Sequence, residues 1–503
     1  VPYIQEGSIL IFKIMKIIKT YFLLFILITI ISGCEDFLES NPQGIPTQES
    51  FPTTEDDALL ATNAVYSTLR SWSYHSGGYP ILDIMSDDAH KGSNPDDQRA
   101  ILGPYDTFTF TTTQDPLDNW WNTLYEGIKR ANVVIEYVPS ISMNENLRTR
   151  SLGEARFLRA LYYFDLVRAW GGVPIVETTT PPLTLARSSE AEVYNLIIND
   201  LLISIENLRE KSELPAADLG RATKGAARAL LAKVYLFRGD FANAEIYALE
   251  VINSQQYDLE PNFEHANSIE GENGVESVFE IGALQVEGDP GNQFANTQGV
   301  RGSPNKGWGF NRPSISLRGA FESGDPRQQL TIIELGDVID DILILGDGTT
   351  PDEYNNGYTT EIESYNRKVW VPGSNTISNW GHNRRLIRYA DVLLMAAEAL
   401  NENDKPELAL QYLNQVRQRA RGDNPGILPD ITETNKDVLK EIILNERRVE
   451  LALEGHRFWD LVRTGKAPEV LGPIGFVTGR HELLPIPQNQ IDLSQGTLTQ
   501  NNY

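Results

Sequence analysis

The sequence predicts a predominantly α-helical protein: a scaffold of helical hairpins, interrupted by an irregular, loop-rich subdomain with minor β structure. Three observations predict it. In Gly225–Ile252, apolar residues recur at three- and four-residue spacing on both sides of Arg238-Gly239-Asp240, the pattern of two antiparallel helices joined by a tight turn. The same grid returns downstream. Ala232, Tyr235, Ala244, Ala248 and Val251 correspond to Ala397, Leu400, Ala409, Leu413 and Val416, each pair 165 residues apart. This is the spacing of a tetratricopeptide-like hairpin, whose copies must stack to bury their apolar faces; two unrelated hairpins obeying the same packing rules are the alternative. Between the copies, residues 257–380 are dense in Gly, Asn, Pro, Ser and Asp and lose helical periodicity, so the scaffold carries a long insertion.

The chain has 503 residues, a formal net charge of −26 and one cysteine, Cys34. So acidic a surface repels nucleic acid and excludes it as a partner, and a single cysteine excludes an internal disulfide. Lys13, Lys16 and Lys19 precede an apolar run, Tyr21–Ile31, closed by Ser32-Gly33-Cys34: a signal peptide over 1–33, with an uncleaved anchor helix as the alternative. Residues 1–14 fit that signal poorly, and Met15 is the better translation start. The flanks of Cys34 resemble a bacterial lipobox, in which the thiol is alkylated with diacylglycerol. Residues 34–53 then form a lipidated, Pro-rich tether.

A helix starts after Thr53 or Thr54, with Glu55, Asp56 and Asp57 in its first turn, and runs to Leu69. Loops follow over 71–113, and a helix begins at Asp115-Pro116. Leu152–Trp170 is helical and stops at Gly171-Gly172-Val173-Pro174; Glu190–Leu208 is amphipathic. These elements and the first hairpin make an N-terminal scaffold over 54–256. SVFEIGAL and LTIIEL are strand-like pieces of the 257–380 subdomain. Helices resume at Arg384, a last one spans Val438–Leu461, and 381–503 forms the C-terminal scaffold and tail.

EARFLRALYYFDLVRAWGGVPIV (Glu154–Val176), ARALLAKVYLFRGDFANA (Ala227–Ala244), RYADVLLMAAEALNE (Arg388–Glu402), NERRVELALEGHRFWDLVRTGK (Asn445–Lys466) and LLPIPQNQI (Leu483–Ile491) occur in one order. WNTLYEGIKRAN (Trp121–Asn132), LNQVRQRA (Leu413–Ala420) and the lipobox join them. Together they resemble the SusD/RagB family of outer-membrane nutrient-binding lipoproteins of the starch-utilisation type from Bacteroidota. The resemblance implies a lipid-anchored protein on the outer membrane, facing the cell exterior, and Glu35-Asp36 resembles a surface-export signal of such lipoproteins. It further implies capture of polysaccharide or oligosaccharide for a SusC-like TonB-dependent transporter, without catalysis and without a cofactor. Arg159, Trp170, Arg447, Arg448 and Trp459, within these motifs, are expected in the core and in buried ion pairs, and Trp120 and Trp121 in packing.

Glycans are bound by flat aromatic faces with polar groups beside them. The candidates are Trp72 and Tyr74, with Tyr79, in the loop after the first helix; Trp308, Phe310, Asn311 and Arg312 in NKGWGFNRP; and Trp380 in SNWGHN. Gly307 and Gly309 are expected to leave the Trp308 indole uncovered. For each tryptophan alone, burial under a long loop competes with ligand contact. Stacking favours a neutral glucan. A scaffold or lid for non-glycan cargo is the alternative, followed by an all-α glycan-active enzyme, for which 69 acidic residues offer too many carboxylate pairs to nominate one. No HExxH, GxSxG or P-loop motif occurs, and the six histidines lack metal-ligand spacing. Asp87-Asp88 and Asp96-Asp97 are the candidates for a structural Ca²⁺, against a solvated acidic loop.

Overall fold

The computed structural model describes residues 13–19, 51–182, 184–283, 293–348, 363–373 and 381–503. Val1–Phe51 and Pro52–Tyr503 form separate units; in the first, 13–19 is helical. Cys34 and Trp380 lie outside the described residues.

In the second unit α1 (Glu55–Leu69) opens with a capping box: Thr54 Oγ1 accepts from the Asp57 amide at 3.2 Å while Asp57 Oδ2 accepts from the Thr54 amide at 3.0 Å. Then follow α2 (Asp115–Tyr137), α3 (Glu145–Trp170), α4 (Glu190–Asn207), α5 (Lys224–Phe237), α6 (Phe241–Asn253), α7 (Tyr389–Glu402), α8 (Pro406–Arg421), α9 (Lys436–Glu450) and α10 (Arg457–Arg463). Each of α1 to α8 packs on the next, and α9 also packs on α7. The two hairpins sharing the sequence grid, α5–α6 and α7–α8, are therefore direct neighbours through α6 and α7, although a long insertion separates them in the chain. Alanines allow the close approach: Ala232, Ala244, Ala248, Ala397 and Ala409 are fully buried, as are Val251, Leu400, Leu413 and Val416. Tyr235 departs from the grid; it is half-buried and stacks on Tyr247 with ring centroids 5.7 Å apart.

The motif residues expected in the interior are there. Arg159 donates to both oxygens of Asp200 (2.7 and 2.9 Å) and to Asn132 (2.9 Å). Trp170 packs between Trp120 and Trp121 and donates Nε1–H to the Pro485 carbonyl at 2.9 Å.

The strands are short and pair antiparallel in twos: β1 (Ala89–Gly92) with β3 (Phe310–Pro313), β2 (Ser277–Ile281) with β8 (Arg384–Arg388), β4 (Ile332–Glu334) with β7 (Ser364–Asn366), and β5 (Val338–Ile339) with β6 (Ile342–Leu343). Three expectations change. Residues 384–388 form a strand, not a helix start, and the helix begins at Tyr389. The stretch 87–113 holds β1 and a short helix, Arg99–Asp106. The last predicted helix breaks at 451–456, where Leu453 and Gly455 take φ of +61° and +83°.

The break serves a buried charge network. Glu450 accepts from Arg327 (3.2 Å), Arg388 (3.1 Å) and Arg419, and Glu454, turned back beyond the break, accepts from Arg388 (2.8 Å) and Lys368 (2.6 Å). Glu446 accepts from Arg327 (2.6 Å) and Arg417 (2.8 Å), and Glu276 from Arg419 (2.8 Å) and Arg388. Glu276, Arg327 and Lys368 come from the insertion, and the rest from β8, α8, α9 and the break after α9. Burial alone would raise the Glu450 carboxyl, but Arg419, Arg388 and Arg327 hold it down to about 2. Removing Arg388 takes a buried cationic partner from Glu276, Glu450 and Glu454 at once. Arg388→Ala is expected to cost about 3–5 kcal/mol, read as a lower urea midpoint; an unchanged midpoint would show the network to be dispensable.

Candidate functional site

The Trp72 loop is fastened to three scaffold elements. Tyr74 donates its hydroxyl to Asp165 Oδ2 on α3 at 3.2 Å and sits edge-on to Tyr162. His75 Nδ1 accepts from Arg384 Nη1 on β8 at 2.8 Å. Gly77, at φ +84°, lies so close to α2 that a Cβ there would fall 1.9 Å from the Pro116 carbonyl oxygen, which no side chain tolerates. What emerges is Trp72, 38% exposed, lying over Gly78.

The Trp308 segment reaches the same place from the insertion. Its backbone runs beside 296–300: the Lys306 amide donates to Val300 O (2.8 Å), Trp308 to Asn296 O (2.8 Å) and Gly309 to Gly299 O (3.0 Å). It then enters β3, whose pairing with β1 (Gly92 opposite Phe310, His90 opposite Arg312) stitches the insertion to the 87–113 stretch. The two segments nominated from sequence thereby meet. Trp72 and Trp308 stand edge to face with centroids 6.4 Å apart, Tyr79 lies 5.3 Å from Trp72, and Phe310 lies 5.3 Å from Tyr79. Such aromatic pairs hold one another's orientation.

The nominated residues divide by depth. Trp72 and the half-buried Trp308 reach the surface. Tyr74, Phe310, Asn311 and Arg312 are all at most 3% exposed and build the floor. Asn311 donates Nδ2–H to Gln298 Oε1 (2.7 Å) and Asp83 Oδ2 (3.1 Å), and the Arg312 guanidinium lies 5.8 Å from the Tyr365 ring. The two glycines do something other than uncover the indole. A Cβ at Gly307 would fall 2.6 Å from Asn296 O, and Gly309 takes φ +74° against Arg301, so both serve backbone approach and direction.

Sequence reasoning missed the polar flank. Arg301 donates to Ser93 Oγ and, at 3.3 Å, to Asp97 Oδ2, while the Ser93 amide donates to Gly309 O at 2.6 Å, beside Trp308. Arg301 and Asp97 keep 31% and 38% of their side-chain surface exposed, so a polar ligand has both charge signs within reach. The signal was partial, since Asp97 drew notice only as an acidic neighbour of Asp96. The Ca²⁺ candidates have other partners. Asp87 takes Arg448 and Arg457 (both 2.8 Å), Asp88 takes Arg448 (2.7 Å), Asp97 takes Ser93 and Arg301, and Asp96 faces Arg99 at 3.5 Å. Among the described residues no group of three or more His, Cys, Asp or Glu is placed to hold a metal.

Beneath the floor, Asp83 joins the site to the helix break, accepting from Asn311 and, at 2.9 Å, from the Gly455 amide. Burial pushes its carboxyl up to about 7 against the Gly455 hydrogen bond, with the neighbouring Asp88 adding to the rise.

The chain matches the SusD family model over residues 275–475 and, over residues 84–236, a second described as starch-binding associating with outer membrane. Two SusD-like proteins of Formosa agariphila are 30% and 31% identical to it, the alignments covering 94% and 93% of this chain and 96% of each relative. The starch-binding protein SusD of Bacteroides thetaiotaomicron is 32% identical over 30% of this chain and 28% of its own. Among solved structures, a laminarin-binding SusD-like protein superposes with a TM-score of 0.76 at 29% identity, covering 90% of this chain and 99% of that one. Surface glycan-binding protein A from Bacteroides thetaiotaomicron, in complex with laminarihexaose, gives a TM-score of 0.75 at 27% identity, covering 90% of this chain and all of that one.

The raised Asp83 carboxyl makes a signed prediction. The folded protein retains a proton that the unfolded chain, near 3.8, gives up earlier, so this contribution to stability is full in acid and lost as pH rises through about 7. Over that window it amounts to about 4 kcal/mol. Asp83→Asn has no such proton, so the melting temperature of the wild type should fall relative to the variant between pH of about 4 and about 8. Parallel curves would show that Asp83 is ionised in the fold throughout.

Proposed function

The chain belongs to the SusD/RagB family, and from that premise we propose that it is a lipid-anchored surface protein that binds a neutral glucan and delivers it to a SusC-like TonB-dependent transporter. The observation that carries the glycan reading is the meeting of Trp72 and Trp308 beside Arg301 and Asp97. Apolar ring faces accept the C–H side of a pyranose, and the charged pair answers hydroxyls at its edge. Tyr74, Phe310, Asn311 and Arg312 support this contact surface from below, and Trp380 remains a candidate for ligand contact from the sequence alone. The glucan class is taken from the laminarin and laminarihexaose of the two structural neighbours.

The protein binds its glycan without transforming it. In support, Asp97 is held by Ser93 and Arg301, and the buried Asp87 and Asp88 by Arg448 and Arg457, so these carboxylates serve as ion-pair partners rather than as an acid and base across a sugar bond. Cys34 carries the lipid, and residues 34–53 are the tether from the outer membrane.

Calorimetry of the purified protein against laminarin and a panel of neutral and anionic polysaccharides tests the reading. A neutral β-glucan should bind, and Trp72→Ala and Trp308→Ala should each weaken it by about tenfold or more, ~1.4 kcal/mol, with melting temperature unchanged. Binding that neither substitution weakens would place the site elsewhere, and the absence of binding by any glycan would leave the protein a lid for other cargo.

A further inference from the structure

Lys306, two residues before Trp308, ends on a second aromatic ring. Its ammonium lies 4.3 Å from the centroid of Trp370 and donates to Val371 O (2.7 Å) and Gly373 O (3.1 Å). Trp370 is half-buried against the cluster of Val300, Ile333, Ile339, Ile344 and Tyr365. Its Nε1–H is taken at 2.7 Å by Asp340. Asp340 and Asp341 turn the β5–β6 hairpin with φ of +51° and +63°, the left-handed pair that a two-residue hairpin requires. The indole is thus pinned on several sides, and its remaining surface forms a wall of a cleft of about 240 Å³.

The rest of that wall is polar and largely compensated. Arg367 is answered by Glu264 at 2.8 Å, and Lys368 by Glu454 at 2.6 Å. Asp340 and Glu270 leave an excess of acid at the rim, which disfavours uronates and sulfated sugars. Asn267, 9% exposed and also on the wall, has a carboxamide Nδ2 without a hydrogen-bond partner. Buried donors are normally satisfied; this nitrogen is itself shut off from solvent, so a sugar hydroxyl reaches it only once the carboxamide turns toward the cleft.

From this geometry we propose that the Trp370 cleft is a second saccharide-binding subsite, which takes an uncharged sugar unit against the indole, between Asp340 and the Arg367–Glu264 pair. The inference rests on the glycan reading of the Trp72–Trp308 surface and goes beyond it. Lys306 couples the two places mechanically, because the segment that carries Trp308 is the one that clamps Trp370. Two subsites at a fixed separation bind a polymer more tightly than either binds a short oligosaccharide, without any new contact.

The test uses the purified protein and laminarihexaose, with cellohexaose and maltohexaose beside it, followed by ligand-observed saturation-transfer NMR. The Trp72→Ala/Trp308→Ala double variant should keep weak binding to a neutral oligosaccharide, which adding Trp370→Ala abolishes and adding Trp370→Phe preserves. In the otherwise native protein, Trp370→Ala should weaken binding to laminarin polymer while leaving short-oligosaccharide binding at Trp72 and Trp308. A double variant that binds nothing while the wild type binds would overturn the subsite and leave the glycan reading intact. So would residual binding that the Trp370→Ala addition leaves unchanged. A wild type that binds no member of the set would overturn both.

Discussion

The structure depends on a set of charges that cannot be buried separately. Glu276, Glu446, Glu450 and Glu454 converge with Arg327, Arg388, Arg417, Arg419 and Lys368, all nearly excluded from water. Each ion alone would cost several kcal/mol to desolvate, and only geometry that brings every partner within hydrogen-bond reach offsets it. Because these groups come from β8, α8, α9, the break after α9 and the insertion, one constraint holds the irregular part of the chain to the helical scaffold. Apolar packing of the alanine-lined hairpins could not do that, since 257–380 has little helical surface to offer.

The meeting of Trp72 and Trp308 follows from that attachment. Once Arg327 and Lys368 dock the insertion, β3 lies beside β1, and Asn311 meets Asp83, which also holds the Gly455 amide at the break after α9. Arg448 and Arg457, on either side of that break, hold Asp87 and Asp88 just before β1. Two aromatic segments more than 200 residues apart are thereby brought to one surface, with Tyr79 and Phe310 packed below. Rigid presentation matters for a sugar site, because a ring already held in place loses little conformational freedom on binding.

Much of the scaffold was legible in the sequence, since helix packing writes a local period into it. Small residues at 232, 244, 248, 397 and 409 mark close crossings wherever the helices sit, and the capping of α1 by Thr54 is a four-residue signal. The site was legible only as a list of aromatics. Trp308 and Phe310 look equivalent in NKGWGFNRP, yet one reaches the surface and the other is buried, because Gly309 at φ +74° redirects the chain before strand alternation begins. Tyr74 and Trp72 divide the same way, by a hydrogen bond to Asp165, which no local pattern announces. The break after α9 was missed because Val438–Leu461 keeps helical periodicity while distant cations, Arg388 and Lys368, draw Glu454 back. Trp370 drew no notice, lying in a basic segment, and its cleft is made by residues from four separate stretches.

The proposed platform for a sugar chain is the pair Trp72 and Trp308, clamped together by the scaffold. The most direct measurement is a crystal structure of the protein soaked with laminarihexaose. A pyranose ring should lie against the exposed Trp72 and Trp308 surface, with hydroxyls within hydrogen-bond distance of Arg301 or Asp97. Well-ordered sugar bound elsewhere, with both indoles still facing solvent, would contradict it.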